Sequence, residues 1–441
     1  MTARAAEPVV VPDVGGWSRT HVALLIAGLI VAAIVRLALL PTPGLRGDLD
    51  QFVLWVHGIA SGGLPRAYDQ DLAFPPVMVY LWAALTAIEP ALRTATDAGD
   101  PAIRALLKTP ASLADIGLAL GVAYALRARP GWAVAGAVGI ALHPAVIDVS
   151  AWWGQYESIY VLGALIAYLL AVGGRPGWAA VALTIAVLTK PQAVPLVVPF
   201  AAWYLARFGL AGAVRFGLIG GATALVLWLP FLAAGGPLAW IGNLAEYQGG
   251  IFAVLSLRAW NPWWLVQEAV GAGEFIADGA AIAGPLTLRA LGYLAALVTL
   301  GIVFLSVLRA PTPRGLALGL AAATLVTFTT LTTMHERYAF AALVFLALLL
   351  PDRRVLALWL VFSFVFTLNL LAAIPPTPEV GAALPVFGPL GVVGSIVMTG
   401  CMLASVALVI EEGRRAQASQ APETEAVPPG LKSLDRPRTR P

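Results

Sequence analysis

Asp48 and Asp50 stand two positions apart in the segment RGDLDQF, with Arg46 and Gln51 beside them. In extended backbone the two carboxylates would project to one side; in a helix they would diverge. A carboxylate at a partly dehydrated membrane surface has a raised tendency to take up protons, which suits a general base acting on a hydroxyl. The plainer alternative is a solvated acidic loop. A second segment, HPAVIDVSAWWGQYES, offers His143, Asp148, Gln155 and Glu157. Asp148, Trp152 and Gln155 share a face if one helix runs through them. Ionisable groups at a buried helix end are costly and tend to face a cavity, whereas paired tryptophans at an interface more often belong to an aromatic belt. Asp148, Gln155 and Glu157 therefore outrank Trp152 and Trp153 as site candidates. In a third segment, LTKPQAVP, Lys190 adjoins Pro191 and Gln192. Its cation can contact a lipid phosphate, or it can simply snorkel to the headgroups. A fourth, TTMHERYAF, gathers His335, Glu336, Arg337 and Tyr338 in one polar knot, more than a short charged turn needs. A fifth, SLRAWNPWWLV, carries Arg258, Trp260 and Asn261 and reads as an amphipathic surface element that covers a site.

Composition sets the solvent these groups meet. Of 441 residues, 59% are hydrophobic and 12% charged, against about 25% charged in a soluble globular protein. Most of the chain's surface thus calls for a solvent other than water. The net charge of +3 is small, and no basic stripe with interleaved aromatics points to nucleic acid. Cys401, the one cysteine, cannot form an internal disulfide. Zinc-type His/Cys spacing, a P-loop and a GxGxxG between strand and helix are all missing, so neither a metal nor a cofactor is expected.

The elements that must position the polar segments are apolar runs near 20–40, 110–126, 131–149, 157–173, 177–190, 192–206, 214–234, 288–308, 315–334, 338–350, 354–374 and 388–410. Roughly 20 residues at 1.5 Å rise cross a bilayer core, so the sequence predicts an all-α polytopic membrane protein with about twelve transmembrane helices over 19–410. A further stretch, 74–89, is shorter and reads as an interfacial helix within a first outer loop, 41–109; a second large outer loop covers 235–287. Residues 1–18 read as a cytoplasmic segment and 411–441, rich in Pro, Glu and Arg, as a disordered cytoplasmic tail. Orientation follows from the arginines of short connections. With the N-terminus cytoplasmic, alternate connections hold Arg127, Arg129, Arg175, Arg207, Arg215, Arg309, Arg314, Arg353 and Arg354. The opposite face collects most of the acids, among them Asp48, Asp50, Asp69, Asp71, Glu157 and Glu336. The expected place is a cell (inner or plasma) membrane, with the polar segments extracytoplasmic.

In this order, Gly47-Asp48-Leu49-Asp50-Gln51, Phe74-Pro75-Pro76-Val77 before Tyr80, His143-Pro144, Gln155-Tyr156-Glu157, Lys190-Pro191-Gln192 and His335-Glu336-Arg337 resemble the motifs of GT-C glycosyltransferases. The likeness covers residues from about 20 to 350. It is strongest to the lumenal glucosyltransferases of N-glycan assembly, which use dolichyl-phosphate glucose, and to bacterial polyprenyl-phosphate-dependent relatives. The resemblance implies a GT-C-like bundle and an inverting transfer of a hexose, of glucose or mannose type, from a polyprenyl-phosphate donor. The acceptor is a hydroxyl of a glycan, lipid or protein. It also implies Asp48 as the base. Asp50 stands where the family has Glu, Trp153-Gly154-Gln155-Tyr156-Glu157 where it has His-Phe-Gln-Tyr-Asn, and Arg337 where it has Lys. Lys190, Arg337 and His335 are the expected partners of the leaving phosphate. The residues alone leave Asp48 and Asp50 open as the working acid. They also leave a second class open, a lipid-linked-saccharide flippase or transporter; such proteins carry polar groups near the bilayer midplane, and Asp115 is the acid placed there.

Overall fold

The structure is a computed structural model that describes residues 16–271 and 273–419. In chain order its helices are α1 (Arg19–Leu39), α2 (Arg46–Gly62), α3 (Pro76–Ile88), α4 (Pro101–Ala125), α5 (Pro130–Ala141), α6 (Pro144–Ile147), α7 (Glu157–Val172), α8 (Pro176–Val187), α9 (Val197–Leu232), α10 (Gly236–Glu246), α11 (Pro262–Val270), α12 (Leu288–Arg309), α13 (Pro313–Thr330), α14 (Phe340–Ala347), α15 (Arg353–Ala373), α16 (Pro378–Ala383) and α17 (Pro389–Ala418). Four strands of two or three residues accompany them: β1 (Ser256–Leu257), β2 (Ala281–Ala283), β3 (Leu286–Thr287) and β4 (Met334–His335). β1 pairs in parallel with β4, and β2 antiparallel with β3. The fold is all-α, as the apolar periodicity predicts.

Every apolar run of the sequence contains helix, but helix length and composition alone do not establish the expected count of about twelve spans. Among the described residues six helices are long and apolar enough to cross a membrane, or seven if α5 and the segment Pro144–Trp153 form one span bent by 43°. The reason is length. α7, α8 and α14 have 16, 12 and 8 residues, or about 24, 18 and 12 Å of helix, against a hydrocarbon core of about 30 Å. The opposite case is Pro191–Leu232, whose 42 residues would run to about 63 Å if straight. It is broken at Gly209, where φ is 67°.

Several predicted boundaries move. The connection predicted over 41–109 gives way to helix at Pro101, because Asp100 caps α4 by accepting a hydrogen bond from the Ala102 N–H. The predicted tail begins later than 411, since α17 continues to Ala418 with an Arg415–Glu411 pair one turn apart. Residues 420–441 of that tail, and 1–15 of the N-terminal segment, lie outside the described residues. The stretch 74–89 does form its own helix, α3, which packs on α2.

Two apolar cores result. The larger binds α4, α5, α7, α8, α13, α14, α15 and α17 through small side chains such as Ala164, Ala167, Ala186 and Ala321. The smaller lies under α2 and α3, where Phe52, Trp55, Phe74, Trp82 and Tyr156 pack ring against ring. On the outside, Leu24, Ile26, Ile30, Ile34 and Leu37 of α1 and Leu291, Leu294, Leu297 and Val298 of α12 are exposed. Contiguous apolar faces of this extent are tolerated in lipid, not in water. This is a helical membrane protein.

Between these layers one ion pair is sealed from solvent. Arg36 of α1 meets Asp115 of α4 at 2.9 Å, with side-chain exposures of 3% and 0%. Ser150 and Ser158 also donate to Asp115, and Arg36 donates to the Ala141 carbonyl at 2.7 Å. The pair locks α1, α4, α5 and the start of α7 together. Arg36→Leu would strand a buried carboxylate, at a cost of about 3–5 kcal/mol. A clearly lowered melting temperature in detergent is expected, with most of the loss recovered in Arg36→Leu/Asp115→Leu.

Candidate active site

The chain between α1 and α2 is tied down by two buried cations. Lys108 donates to the Thr42 carbonyl at 2.8 Å, and Arg104 to the Pro41 carbonyl at 2.8 Å and the Gly99 carbonyl at 2.7 Å. Gly44 follows, with φ of 55°; a Cβ there would sit 2.2 Å from the Trp152 carbonyl oxygen. α2 therefore starts hard against the 152–154 segment. Leu49 is fully buried there. Successive helical residues turn by about 100°, so Asp48 and Asp50 are thrown to different sides of the Leu49 anchor.

Asp48 faces a cavity of about 510 Å³. Asp50 does not line it. Its Oδ1 accepts from Arg46 at 3.1 Å and from the Ala98 N–H at 2.8 Å. Arg46 and Asp50 thus fix the loop before α4, and of the two acids Asp48 is the one that lines the cavity. Asp48 also sits in the first turn of α2, where the helix dipole favours negative charge.

The second wall comes from a broken helix. α6 widens into a π-turn over Asp148–Trp153 and stops at Gly154, with φ of 97°. A Cβ on Gly154 would lie 2.7 Å from Leu49 Cδ2. The break swings Gln155 into the cavity and leaves Asp148 out of its lining. The shared face predicted for Asp148, Trp152 and Gln155 is therefore not formed: only Gln155 reaches the site. Trp153 joins it instead. The Trp153 indole N–H donates to Asp48 Oδ2 at 2.9 Å, and the Gln155 amide donates to the same oxygen at 2.5 Å. Oδ1 of Asp48 has no protein donor among the described residues.

Glu157, first residue of α7, stands behind the wall with no solvent exposure. Its Oε1 accepts from Lys190 Nζ at 2.5 Å and lies 3.1 Å from Arg337 Nε. Lys190 also donates to Gln155 Oε1 at 3.2 Å. An ammonium can only donate, so Lys190 turns the Gln155 carbonyl toward itself and its amide toward Asp48. Arg337 Nη1 bonds Glu336 at 3.0 Å, and the guanidinium stacks 4.7 Å above the Trp153 ring. Burial pulls the Lys190 ammonium down to about 8, Glu157 resists, and Arg337 adds to the fall. Burial likewise pushes the Glu336 carboxyl up against the pull of Arg337. Burial holds the His335 imidazole well below its ordinary range, and Arg337 and Lys190 add to that. His335 is neutral here and is no partner for an anion by charge.

The sequence candidates divide accordingly. Asp48, Gln51, Gln155, Lys190, Gln192, His335, Glu336 and Arg337 line one cavity. Glu157 supports it from behind, while Arg46, Asp50 and Asp148 stand outside. Asp71, Tyr247, Gln248 and Phe252 also line it and were not singled out. Asp71 accepts from the Trp55 indole at 3.0 Å; its only sequence signal was its place among the outer acids. Gln248 arrives with the connection between α9 and α12, where it accepts from the Thr333 hydroxyl at 2.8 Å. The SLRAWNPWWLV segment does border this region: β1 pairs with β4, which carries His335. Among the described residues no group of three or more His, Cys, Asp or Glu side chains could hold a metal ion.

No family model matches the chain, and no curated protein matches it.

Chemically, the cavity offers a carboxylate oxygen open to a hydroxyl, two cations with spare N–H groups, and an aromatic wall of Trp55, Phe52 and Phe74. Lys190 uses two of its three N–H bonds on protein. Its charge is present below about pH 8 and lost above it. Phosphate monoesters have a second pKa near about 6, so they are almost fully ionised by about pH 8 and ligand titration does not interfere there. Any contribution of Lys190 to binding a prenyl phosphate monoester by the purified protein is expected to fade as pH rises through about 8. Lys190→Arg should carry tight binding past that point, whereas wild-type affinity that stays flat across it would contradict the role.

Proposed function

We propose that this chain is an integral-membrane glycosyltransferase. It moves a hexose from a polyprenyl-phosphate donor to an acceptor hydroxyl on the extracytoplasmic face, with inversion. One observation carries the reading: the open Oδ1 of Asp48 shares a cavity with the donors of Lys190 and Arg337. In the proposed step the acceptor hydroxyl gives its proton to Asp48 Oδ1 as its oxygen attacks the anomeric carbon. The bond from that carbon to the phosphate oxygen breaks with its electron pair, so the polyprenyl phosphate leaves as an anion. Trp153 and Gln155 hold the carboxylate in place through its other oxygen. Lys190 and Arg337 meet the charge that develops on the phosphate, where preorganised cations in a water-poor site count most. The aromatic wall offers a sugar ring an apolar face.

The same reading puts both chain ends in the cytoplasm. It is supported by the arginine-rich connections, which gather away from the cavity: Arg314 pairs with Asp352 at 2.7 Å and Glu412 at 3.0 Å, and Arg129 shares a surface recess with Arg314 and Asp352. The transport reading is weaker, because Asp115, its intramembrane acid, is consumed by Arg36, Ser150 and Ser158.

Asp48→Asn is expected to lower transfer from radiolabelled polyprenyl-phosphate hexoses by about 10²–10⁴-fold, the usual worth of a general base. Asp50→Asn should stay within a few-fold of wild type. Full turnover in purified, folded Asp48→Asn protein would remove the assignment.

A further inference from the structure

A second cavity, of about 320 Å³, lies at the far end of α8 from Lys190. The 12 residues of α8 put about 18 Å between the two. Arg175 and Arg215 line it, together with Gly177, Trp178, Tyr204 and Phe216, and no carboxylate does. Neither guanidinium has an ion-pair or hydrogen-bond partner among the described residues. Both arginines are exposed; on the same side Arg314 is engaged by Asp352 and Glu412, Arg354 by Glu411, and Arg207 by the Trp203 ring at 5.2 Å and the Pro311 carbonyl, whereas Arg129, Arg309 and Arg353 also lack a side-chain partner among the described residues but do not share a cavity with a second unpaired arginine. The start of α8 opens on the same cavity. Arg175 is its N-cap and no side chain caps it, so its first N–H groups and the positive end of its dipole are left to another partner. The cavity wall is fixed: the Tyr204 hydroxyl donates to the Pro176 carbonyl, and its ring stacks on Phe216 at 4.2 Å. Around it the surface turns apolar, with Trp178 67%, Leu210 73% and Leu218 68% exposed.

We propose that this cavity binds the phosphodiester headgroup of an anionic membrane lipid. The phosphate sits between Arg175, Arg215 and the α8 N-terminus, and the acyl chains run along the exposed leucines beside the Gly209 break. The two arginines supply charge and forked donors that suit phosphate oxygens. A free phosphate would use the same donors, but it would leave the apolar rim without a partner; the rim favours a lipid. The site is separate from the Asp48 cavity and does not depend on what that cavity does.

The test uses the full chain purified from vesicles of phosphatidylcholine and phosphatidylglycerol and examined by native mass spectrometry. Wild-type protein is expected to retain phosphatidylglycerol at least tenfold over phosphatidylcholine. The Arg175→Gln/Arg215→Gln form should lose that preference about tenfold. Arg175→Lys/Arg215→Lys keeps the positive charge of both connections, and with it the membrane orientation, and should show a several-fold loss. This second variant decides the matter if the first does not fold. Retention of the preference in both variants, equal retention of the two lipids by wild type, or displacement of the bound lipid by millimolar inorganic phosphate would each overturn the proposal.

Discussion

The Glu157 carboxylate, sealed behind the cavity with Lys190 and Arg337 on one of its oxygens, is the constraint on which the site depends. Two cations a few ångströms apart in a medium of low dielectric would repel each other strongly. A shared carboxylate makes their coexistence tolerable, and it fixes where each can point. From Lys190 the order passes through the Gln155 amide to Asp48 Oδ2. From Arg337 it passes through the face of Trp153, whose indole N–H reaches the same oxygen. The two routes converge on one carboxylate oxygen and leave the other free.

Such an arrangement is expensive. Buried charges of this kind cost desolvation that their mutual attraction only partly offsets, and apolar residues of similar volume would serve stability better. The backbone around the site is strained as well. Thr333, a β-branched residue, has φ of 59°, and Arg258 has φ of 64°, a region that non-glycine residues rarely occupy. Thr333 is held there by the carbonyls of Val254 and Leu255, and Arg258 by a contact to the Ala373 carbonyl. The connection between α9 and α12 is thereby pinned to β4 and to the end of α15. Strain of this sort persists where surrounding contacts over-determine it, and it lies beside the cavity rather than across the apolar bundle. The bundle itself is regular and small-residue-rich, a platform on which three helix interruptions, at Gly154, Lys190 and Thr333, are brought to one end.

The interruptions also explain where the sequence misleads. Asp148 shares a helical period with Gln155, and on that period the two should act together. A π-turn ending in a left-handed glycine cancels the register, because Leu49 and Lys108 occupy the space that any Cβ at 154 would need. Helix length alone does not settle the number of spans for a related reason. Apolar runs of 8 to 16 residues, as in α14, α8 and α7, are indistinguishable by composition from segments of full spans. Their breaks are set by neighbours rather than by their own residues.

The amino-acid sequence by itself determined the all-helical, membrane-solvated character of the chain and the short polar segments from which its cavity is lined. Both follow from local composition and period, which need no knowledge of neighbours. It also marked Lys190, Glu157, His335, Glu336 and Arg337, since charge in apolar surroundings is conspicuous wherever it occurs. Only the tertiary structure decided that Asp48 rather than Asp50 meets the cavity, that Asp148 stays out, and that Asp71 and Gln248 come in. Those outcomes depend on which side of a helix faces a partner distant in sequence. That side is chosen by packing: Leu49 against Gly154, and Thr333 against the outer loop. Packing of this kind leaves no periodic trace in the residues themselves.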